Sequence, residues 1–176
     1  IWADPDDVES FAKAVTPKTK AIFIESVANP GGVIVDIAAI SAIARKHNIP
    51  LIVDNTMATP YLLRPFEHGA DIVVHSATKF LGGHGNSIGG LIVDGGSFNW
   101  VGDERYPMLS KPRPEYNGMV LGETFGNFAF AIATRVLGLR DLGPALSPFN
   151  AFMLLTGIET LPLRMQRHCE STQKVA

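Results

Sequence analysis

Residues 21–54, AIFIESVANPGGVIVDIAAISAIARKHNIPLIVD, place two short apolar runs on either side of a segment with helical periodicity. The runs at 21–24 and 51–53 are continuous and contain β-branched residues, a pattern typical of strands that are buried on both faces of a parallel sheet. Between them, isoleucine and alanine recur at helical spacing over 37–44, and Asp36 precedes them as a candidate N-cap. The stretch therefore predicts a strand–helix–strand unit with a right-handed crossover.

Two more apolar runs extend the predicted sheet. The run at 72–74 is similar to the first two, and the run at 91–93 follows it after a connection rich in glycine. A parallel crossover usually needs a helix and about a dozen residues or more, and glycine disfavours helices. We therefore expect 91–93 to run antiparallel to its neighbour. The predicted fold class is α/β: a mostly parallel sheet with helices on both faces and one antiparallel strand after Lys79.

Length and composition restrict the class of protein. The chain has 176 residues, which fits one domain, and its 15 Lys and Arg against 17 Asp and Glu are too balanced for binding nucleic acid through phosphate contacts. No apolar run approaches the roughly 20 residues that span a bilayer, and no basic segment followed by an apolar one is visible as an export signal. The single cysteine, Cys169, excludes a disulfide framework within the chain. We expect a cytoplasmic protein without a nucleic-acid or membrane partner.

The second half of the chain contains a predicted loop followed by predicted helices. Residues 95–118 are rich in proline and glycine and predict an irregular loop. The pattern that follows is helical. Ser147 followed by Pro148 is typical of the start of a helix, because serine is a good N-cap and proline suits the first helical position. We therefore separate a helical segment, 147–176, from residues 1–146.

Polar side chains follow three of the predicted strands. The first strand leads into 25–32 (ESVANPGG), the second into 54–56 (DNT) and the third into 75–79 (HSATK). Ligands of α/β sheets bind at the carboxyl ends of parallel strands. These segments therefore bring an aspartate, an asparagine and a lysine flanked by hydroxyl groups to one edge of the predicted sheet.

Lys79 is the candidate nucleophile. A lysine that follows a buried strand and precedes Phe80 and Leu81 is expected to be partly desolvated, which favours its neutral, nucleophilic form. Such an amine can form a Schiff base with an aldehyde cofactor. Ser76 and Thr78 flank it and can donate hydrogen bonds to a phosphate. Considered alone, however, Lys79 fits a surface lysine in a loop better.

Asp54 is the candidate partner of a cofactor ring. A carboxylate at a strand end can pair with a protonated pyridine nitrogen, and that pairing keeps pyridoxal phosphate an electron sink. Considered alone, Asp54 is explained equally well as a capping residue of the turn at 54–56. The combination is more specific than either residue, because two strand ends would supply the ring partner Asp54 and the aldehyde partner Lys79.

The chain does not match the motifs of a dinucleotide site, a P-loop or a metal site. In 83–88 (GHGNSI), isoleucine stands where a dinucleotide fingerprint has its last glycine, and Lys79 precedes the glycines, whereas a P-loop has its lysine after them. Three histidines near these segments lack metal-ligand spacing: His68, His75 and His84. We therefore predict no metal site, and we place Arg164 and Arg167 on a solvated helical face.

Three motifs together resemble the Cys/Met-metabolism family of fold type I pyridoxal-phosphate enzymes. They are 25–32 (ESVANPGG), 53–60 (VDNTMATP) and 76–84 (SATKFLGGH), and the resemblance extends over nearly the whole chain. Two further segments, 85–90 (GNSIGG) and 147–152 (SPFNAF), are similar to the O-acetylhomoserine sulfhydrylase branch of that family. Cystathionine synthases and lyases usually carry Ser-Asp at the positions that Gly85 and Asn86 occupy here.

The resemblance implies roles for five residues and pyridoxal 5'-phosphate (PLP) as the cofactor. Lys79 would hold the cofactor covalently and act as the catalytic proton shuttle. Asp54 would contact the pyridinium nitrogen, and Ser76 and Thr78 would contact the phosphate. Asn29 would lie close to the ring or the substrate. The implied site contains no metal.

The resemblance also implies a reaction and an assembly. The reaction is the replacement of acetate by sulfide on O-acetylhomoserine, which yields homocysteine for methionine and cysteine biosynthesis, and the assembly is a homotetramer. One alternative is another enzyme of the family: a cystathionine or methionine γ-lyase, a γ-synthase, or a sulfhydrylase that uses O-succinylhomoserine. A second alternative is a non-catalytic fragment that acts only as a scaffold.

Finally, the resemblance places parts of a complete site outside this chain. The chain opens at Ile1 and ends within a helical pattern, so we expect an internal piece of a longer protein. Residues 1–146 would be part of the PLP-binding large domain, and 147–176 would lead towards a C-terminal domain. The tyrosine that stacks on the ring, the tyrosine and arginine given by a neighbouring subunit, and the arginine that grips the substrate carboxylate would all lie elsewhere. We therefore expect the isolated chain to be inactive.

Overall fold

The architecture is a four-stranded sheet flanked by helices, which a computed structural model describes over residues 1–176. The strands are β1 (Ile22–Glu25), β2 (Leu51–Asp54), β3 (Ile72–Ser76) and β4 (Gly90–Asp94). The α-helices are α1 (Val8–Ala14), α2 (Ile37–Lys46), α3 (Thr59–Leu62), α4 (Pro107–Ser110), α5 (Leu121–Phe125), α6 (Ala129–Ala133), α7 (Pro148–Glu159) and α8 (Leu161–Val175). Short 3-10 helices span Pro65–His68, Pro114–Tyr116 and Gly126–Phe128, and a π-helix spans Thr134–Leu142.

The topology of the sheet is that of an α/β protein. The strands lie in the order β1-β2-β3-β4; β1 pairs with β2 and β2 with β3 in parallel, whereas β4 is antiparallel to β3. Helix α2 forms the connection between β1 and β2, and the Asp36 carboxylate caps it by accepting a hydrogen bond from the Ala39 N–H (2.9 Å). The predicted fold class, the strand–helix–strand unit and the antiparallel strand after Lys79 are all confirmed.

Buried apolar side chains form a core on each face of the sheet. Neighbouring residues of a strand point to opposite faces. Val53 belongs to a cluster of 12 buried residues that packs α1 and α2 against one face, whereas Ile52 packs against a second cluster on the other face. The second cluster is built around Trp100 and includes residues of α4, α5 and α6. The predicted arrangement of helices on both faces is therefore confirmed.

The edge strand β1 departs from its predicted burial. Ile22 and Ile24 are buried, but the Phe23 side chain between them is 60% exposed. The continuous apolar run was expected to be buried on both faces, and this expectation is wrong for β1, because no element of the chain covers the second face of that strand. The middle strand β2 shows the expected burial, with Leu51 and Val53 buried and Ile52 half-buried.

The later segments follow the predicted pattern with one correction. The Ser147 hydroxyl accepts a hydrogen bond from the Asn150 N–H (3.1 Å) at the start of α7, with Pro148 in the first turn, as predicted. Residues 95–118 were expected to be irregular throughout, but they contain α4 and a 3-10 helix, each of which has a proline in its first turn. No helix of the structure combines the length and the apolar character that crossing a membrane requires.

Candidate active site

A cavity of about 660 Å³ lies at the edge of the sheet where β1, β2 and β3 end. This is the edge at which parallel strands bind ligands, and the volume falls within the usual range for small-molecule sites. The cavity is lined by Glu25, Val27, Asn29, Asp54, Thr56, Met57, Ser76, Thr78, Lys79, Phe80, Gly83, Gly85, Arg164 and His168. All five residues that the sequence singled out are among them.

Strand register brings the candidate acid and the candidate amine together. Asp54 is the last residue of β2 and lies opposite Glu25 of β1 and Val74 of β3. Two residues after Val74, β3 ends at Ser76, and a turn closed by the Lys79 N–H and the Ser76 carbonyl (3.2 Å) leads to Lys79. The carboxylate and the amine therefore line the same cavity from adjacent strands.

Local hydrogen bonds orient the Asp54 carboxylate. One of its oxygens accepts a hydrogen bond from the Thr56 N–H (2.9 Å), and the Thr56 hydroxyl accepts one from the Ser76 N–H (2.8 Å). These contacts tie the turn after β2 to the end of β3. A carboxylate can accept several hydrogen bonds, so the half-buried Asp54 retains acceptor capacity for a ligand in the cavity.

A buried polar pair links the ends of β1 and β2 at residues that adjoin cavity-lining positions in the chain. The Ser26 hydroxyl donates to the Asn55 side-chain oxygen (2.8 Å), and the Asn55 amide nitrogen donates to the Leu63 carbonyl (2.8 Å). Both Ser26 and Asn55 are fully buried. Buried polar groups need such partners, and a fully paired network makes its surroundings rigid. No sequence pattern singled out this pair, although each residue directly follows a strand.

Lys79 is exposed, and its expected partial desolvation is therefore wrong for this chain. The preceding strand is buried as predicted, but the turn lifts the lysine onto the rim of the cavity, and the following Phe80 is only half-buried. Desolvation of this amine would need atoms from outside residues 1–176, such as a ligand in the cavity or another protein segment.

The two flanking hydroxyl residues differ in their surroundings. The Thr78 hydroxyl accepts a hydrogen bond from the Gly89 N–H (3.1 Å) and donates one to the Gly89 carbonyl (3.3 Å). It therefore fastens the start of β4 to the lysine segment. Ser76 lines the cavity at the end of β3. Because an anion can only accept hydrogen bonds, it needs the proton of a hydroxyl group. Ser76 can offer its hydroxyl proton to an anion, whereas Thr78 would first have to give up its bond to the Gly89 carbonyl.

Asn29 lies at the entrance of the cavity. It is exposed, and its backbone N–H donates to the Glu25 carboxylate (2.8 Å). This bond folds the segment after β1 back towards the sheet and leaves the Asn29 side chain at the cavity wall.

Two cavity residues come from helix α8, and no sequence pattern assigned either of them to the site. Arg164 was expected on a solvated helical face, but it is half-buried and lines the cavity with His168. The expectation is wrong for Arg164 because its guanidinium reaches back across the chain to the segment after Lys79. Arg167 does lie on an exposed face, with an ion pair to Glu170 (3.7 Å). A contact between residues more than 80 positions apart leaves no local signal in the sequence.

His75 lies beside this site in a buried position. Burial lowers its pKa below the ordinary value of 6.5, and the nearby Asp54 carboxylate partly opposes the shift. The ring nitrogen Nδ1 has no hydrogen-bond partner. A buried imidazole without a partner for that nitrogen is more stable in its neutral form.

We expect His75 to make the free energy of unfolding depend on pH. Its lowered pKa means that the unfolded chain binds more protons than the folded chain just below pH 6.5, so stability rises with pH in that range. Acidification from neutral pH should thus destabilise the protein until the pH reaches the lowered pKa. The slope is at most about 1.4 kcal/mol per pH unit for one group. Urea unfolding of wild type and His75→Gln between about pH 7.5 and about pH 5.5 measures it; identical pH dependence would contradict the assignment.

No group of three His, Cys, Asp or Glu side chains lies close enough together to hold a metal ion. The charged groups of the cavity are instead two carboxylates and two basic side chains: Glu25, Asp54, Lys79 and Arg164. The arrangement can hold an organic ligand that has an anionic part and an electrophilic carbon within reach of the Lys79 amine.

Comparison with known proteins gives one consistent family. Residues 1–176, the whole chain, match the family described as Cys/Met metabolism PLP-dependent enzyme. The O-acetyl-L-homoserine sulfhydrylase of Leptospira meyeri is 53% identical, and the match covers 99% of this chain and 41% of that protein. The homocysteine synthase of Schizosaccharomyces pombe is 48% identical, with 99% of this chain and 41% of that protein covered. The chain thus spans about two fifths of the length of these relatives.

A solved structure agrees with the sequence comparison. A Campylobacter jejuni protein described as an O-acetylhomoserine (thiol)-lyase superposes with a TM-score of 0.91 at 42% identity, over 99% of this chain and 43% of that chain. That crystal structure contains a pyridoxyl-lysine monophosphate residue.

Proposed function

Since the chain belongs to the family of Cys/Met metabolism PLP-dependent enzymes, we propose that the whole protein makes homocysteine from O-acetylhomoserine and sulfide. In this reaction sulfide replaces acetate on the γ-carbon of the amino acid. One observation of the structure carries the proposal: the Lys79 amine and the Asp54 carboxylate line one cavity at the carboxyl ends of parallel strands. The sulfhydrylases and homocysteine synthases among the relatives support the choice of reaction within the family.

The residues of the cavity fit the chemical groups of PLP. The cofactor has an aldehyde, a pyridine nitrogen and a phosphate, which require an amine, a carboxylate and hydrogen-bond donors. The cavity offers the Lys79 amine, the Asp54 carboxylate and the Ser76 hydroxyl, and the Thr78 hydroxyl would join them by exchanging its bond to the Gly89 carbonyl. A volume of about 660 Å³ leaves room for the ring and a small amino acid beside it.

We assign the chemical work to two side chains. PLP, when bound, supplies an electron sink for negative charge that develops on the amino acid. Asp54 would hold a proton on the pyridine nitrogen through a charge-assisted hydrogen bond, since its other contacts leave oxygen lone pairs unused. Lys79, released when the substrate amine takes its place, would move protons between the α-carbon and the β-carbon of the substrate. Ser76 and Thr78 would orient the cofactor through its phosphate, and Asn29 would lie beside the ring or the substrate.

The assay for this proposal uses the complete gene product. We expect homocysteine and acetate to appear when the protein, PLP, O-acetylhomoserine and sulfide are combined. Cystathionine, methionine and O-succinylhomoserine are offered in parallel. Absence of homocysteine together with good turnover of cystathionine or methionine would reassign the protein to a γ-lyase. Preference for the succinyl ester would change the acyl group and leave the reaction type intact.

A scaffold without catalytic function is the second candidate, and the exposure of Lys79 favours it for the 176-residue chain alone. Mixing that chain with PLP tests it. Visible absorption that disappears in Lys79→Ala would support cofactor binding by the chain. A chain that keeps no lysine-dependent absorption band once unbound PLP has been removed, beside a complete gene product that keeps one, would identify an inert fragment.

We also propose the setting in which the protein works. Residues 1–146 would form part of a PLP-binding domain, and the helices of 147–176 would connect it to a further domain. A homo-oligomer, and specifically a tetramer, is part of this proposal, and the 60% exposed Phe23 side chain of the edge strand β1 is compatible with it. Light scattering of the complete gene product measures the mass of the assembly.

The protein would work in the cytoplasm. The exposed free thiol of Cys169 is compatible with a reducing compartment, and we propose the cytoplasm on that basis.

A further inference from the structure

The segment that follows Lys79 is held by the two C-terminal helices of the chain. Leu81 is buried in a cluster with Leu154 of α7 and with Leu161 and Met165 of α8. The backbones also meet: Gly157 of α7 lies so close to the segment that an added Cβ atom would collide with the Gly82 carbonyl. Helices distant in sequence therefore pack directly on the residues beside the candidate cofactor lysine.

Arg164 makes the most numerous polar contacts at this junction. Its Nη1 donates to the Phe80 carbonyl (2.8 Å), and its Nη2 donates to the carbonyls of Leu81 (3.2 Å) and Gly157 (2.7 Å). Its Nε donates to the Thr160 hydroxyl (3.1 Å). One planar guanidinium thus links two consecutive carbonyls of the lysine segment to the end of α7. The fork geometry of arginine suits such multiple contacts, which an ammonium group does not reproduce.

The lysine segment needs this support because it is a turn with few hydrogen bonds of its own. The Gly82 N–H donates to the Ala77 carbonyl (2.9 Å) and the Gly83 N–H to the Lys79 carbonyl (2.8 Å). These two bonds use the carbonyls of Ala77 and Lys79. The carbonyls of Phe80 and Leu81 accept hydrogen bonds from the Arg164 guanidinium instead. Partly buried carbonyls without a donor are costly, so loss of the guanidinium would destabilise this particular turn.

The shape of the junction also requires a glycine. Gly83 has a φ of +73°, and a Cβ atom there would lie 2.5 Å from the Arg164 Cζ. The guanidinium therefore rests directly against the backbone of the turn. Side chain and backbone are complementary at this point, which is a sign of a specific contact and not of a solvated arginine that happens to lie nearby.

We propose that Arg164 is a positioning residue that holds the 79–83 turn in the shape needed for Lys79 to reach the cavity. This inference rests on the proposed attachment of PLP to Lys79. Arg164 acts through the backbone carbonyls of Phe80 and Leu81, and it needs no contact with the cofactor for this role. The contact makes cofactor binding depend on helices α7 and α8, which begin about 70 and about 80 positions after the lysine in the chain.

The test compares Arg164→Gln with Arg167→Gln in the complete gene product. Arg167 lies on the same helix, is exposed, and pairs only with Glu170, which makes it a matched control. In the apo-protein, Arg164→Gln should increase hydrogen exchange in the 79–83 turn by about 10- to 100-fold and leave the strands β1–β3 unchanged. It should also weaken PLP binding by about 10- to 100-fold, whereas Arg167→Gln should match wild type in both measurements.

The outcomes separate this inference from the proposed function. Wild-type exchange in the turn of Arg164→Gln, or PLP affinity within about twofold of wild type, would overturn the positioning role. A uniform rise in exchange over the sheet would also overturn it, because it indicates a general loss of stability. Borohydride trapping on wild type tests the attachment itself: no PLP on Lys79 refutes the proposed function, whatever the exchange data show. If Arg164→Gln does not fold, Arg164→Lys is measured by the same criteria, with a smaller local effect expected.

Discussion

Substitution of Lys79 by alanine is expected to abolish PLP-dependent turnover in the complete gene product. Lys79 supplies the only lysine amine of the cavity, and the proposed chemistry uses it twice, for attachment of the cofactor and for proton transfer. Loss of general acid–base catalysis alone lowers rates by about 10²- to 10⁴-fold. The fall in kcat should therefore be at least that large. It is measured with O-acetylhomoserine and sulfide at saturating PLP.

The matched control for this variant is Lys46→Ala. Lys46 is an exposed lysine in the last turn of α2, outside the cavity. Its loss should lower the free energy of unfolding by about 0.3 to 1 kcal/mol, because it removes a positive charge from the C-terminal end of the helix. Its kcat should equal that of wild type. Visible absorption distinguishes the variants as well, since Lys79→Ala should lack the lysine-dependent band. Retention of that band and of kcat in Lys79→Ala would move the attachment to another residue and refute the site.

The second large effect is expected from Asp54→Asn. The substitution keeps the size of the side chain and an oxygen that can accept the Thr56 N–H bond, but it removes the negative charge. Hydrogen bonds to charged groups contribute about 1.5–3 kcal/mol, so the loss of the ring partner should lower kcat/KM by roughly 10- to 100-fold. PLP affinity should fall in the same direction. Both are measured on the complete gene product with increasing PLP.

Asp36→Asn is the control for the loss of one carboxylate. Asp36 caps α2 away from the cavity, and asparagine is as good an N-cap as aspartate. The control should keep wild-type kcat/KM and PLP affinity. Values of Asp54→Asn within about twofold of the control would show that the carboxylate does not serve the ring nitrogen. A loss of stability without a change in kcat/KM would assign Asp54 a purely structural role in the turn after β2.

Local sequence patterns were sufficient for much of the fold. The apolar runs around α2 predicted parallel strands, and the glycines between β3 and β4 predicted the antiparallel return, because these features depend on periodicity and on short connections. They also placed Asp54 and Lys79 at one edge, since parallel strand ends meet there. Burial was less predictable: the run in β1 has the composition of a two-sided strand, yet Phe23 is exposed because no element of the chain packs on that face of β1.

The sequence by itself thus determined the class of fold, the order of acid and amine along the chain, and the family motifs that suggest PLP. Only the tertiary structure decided that Lys79 lies on the rim of the cavity and that Arg164 supports the turn beside it. The physical reason is the range of the interactions. Periodicity and capping act over a few residues, whereas the contact of Arg164 with Phe80 depends on how α7 and α8 pack onto the sheet.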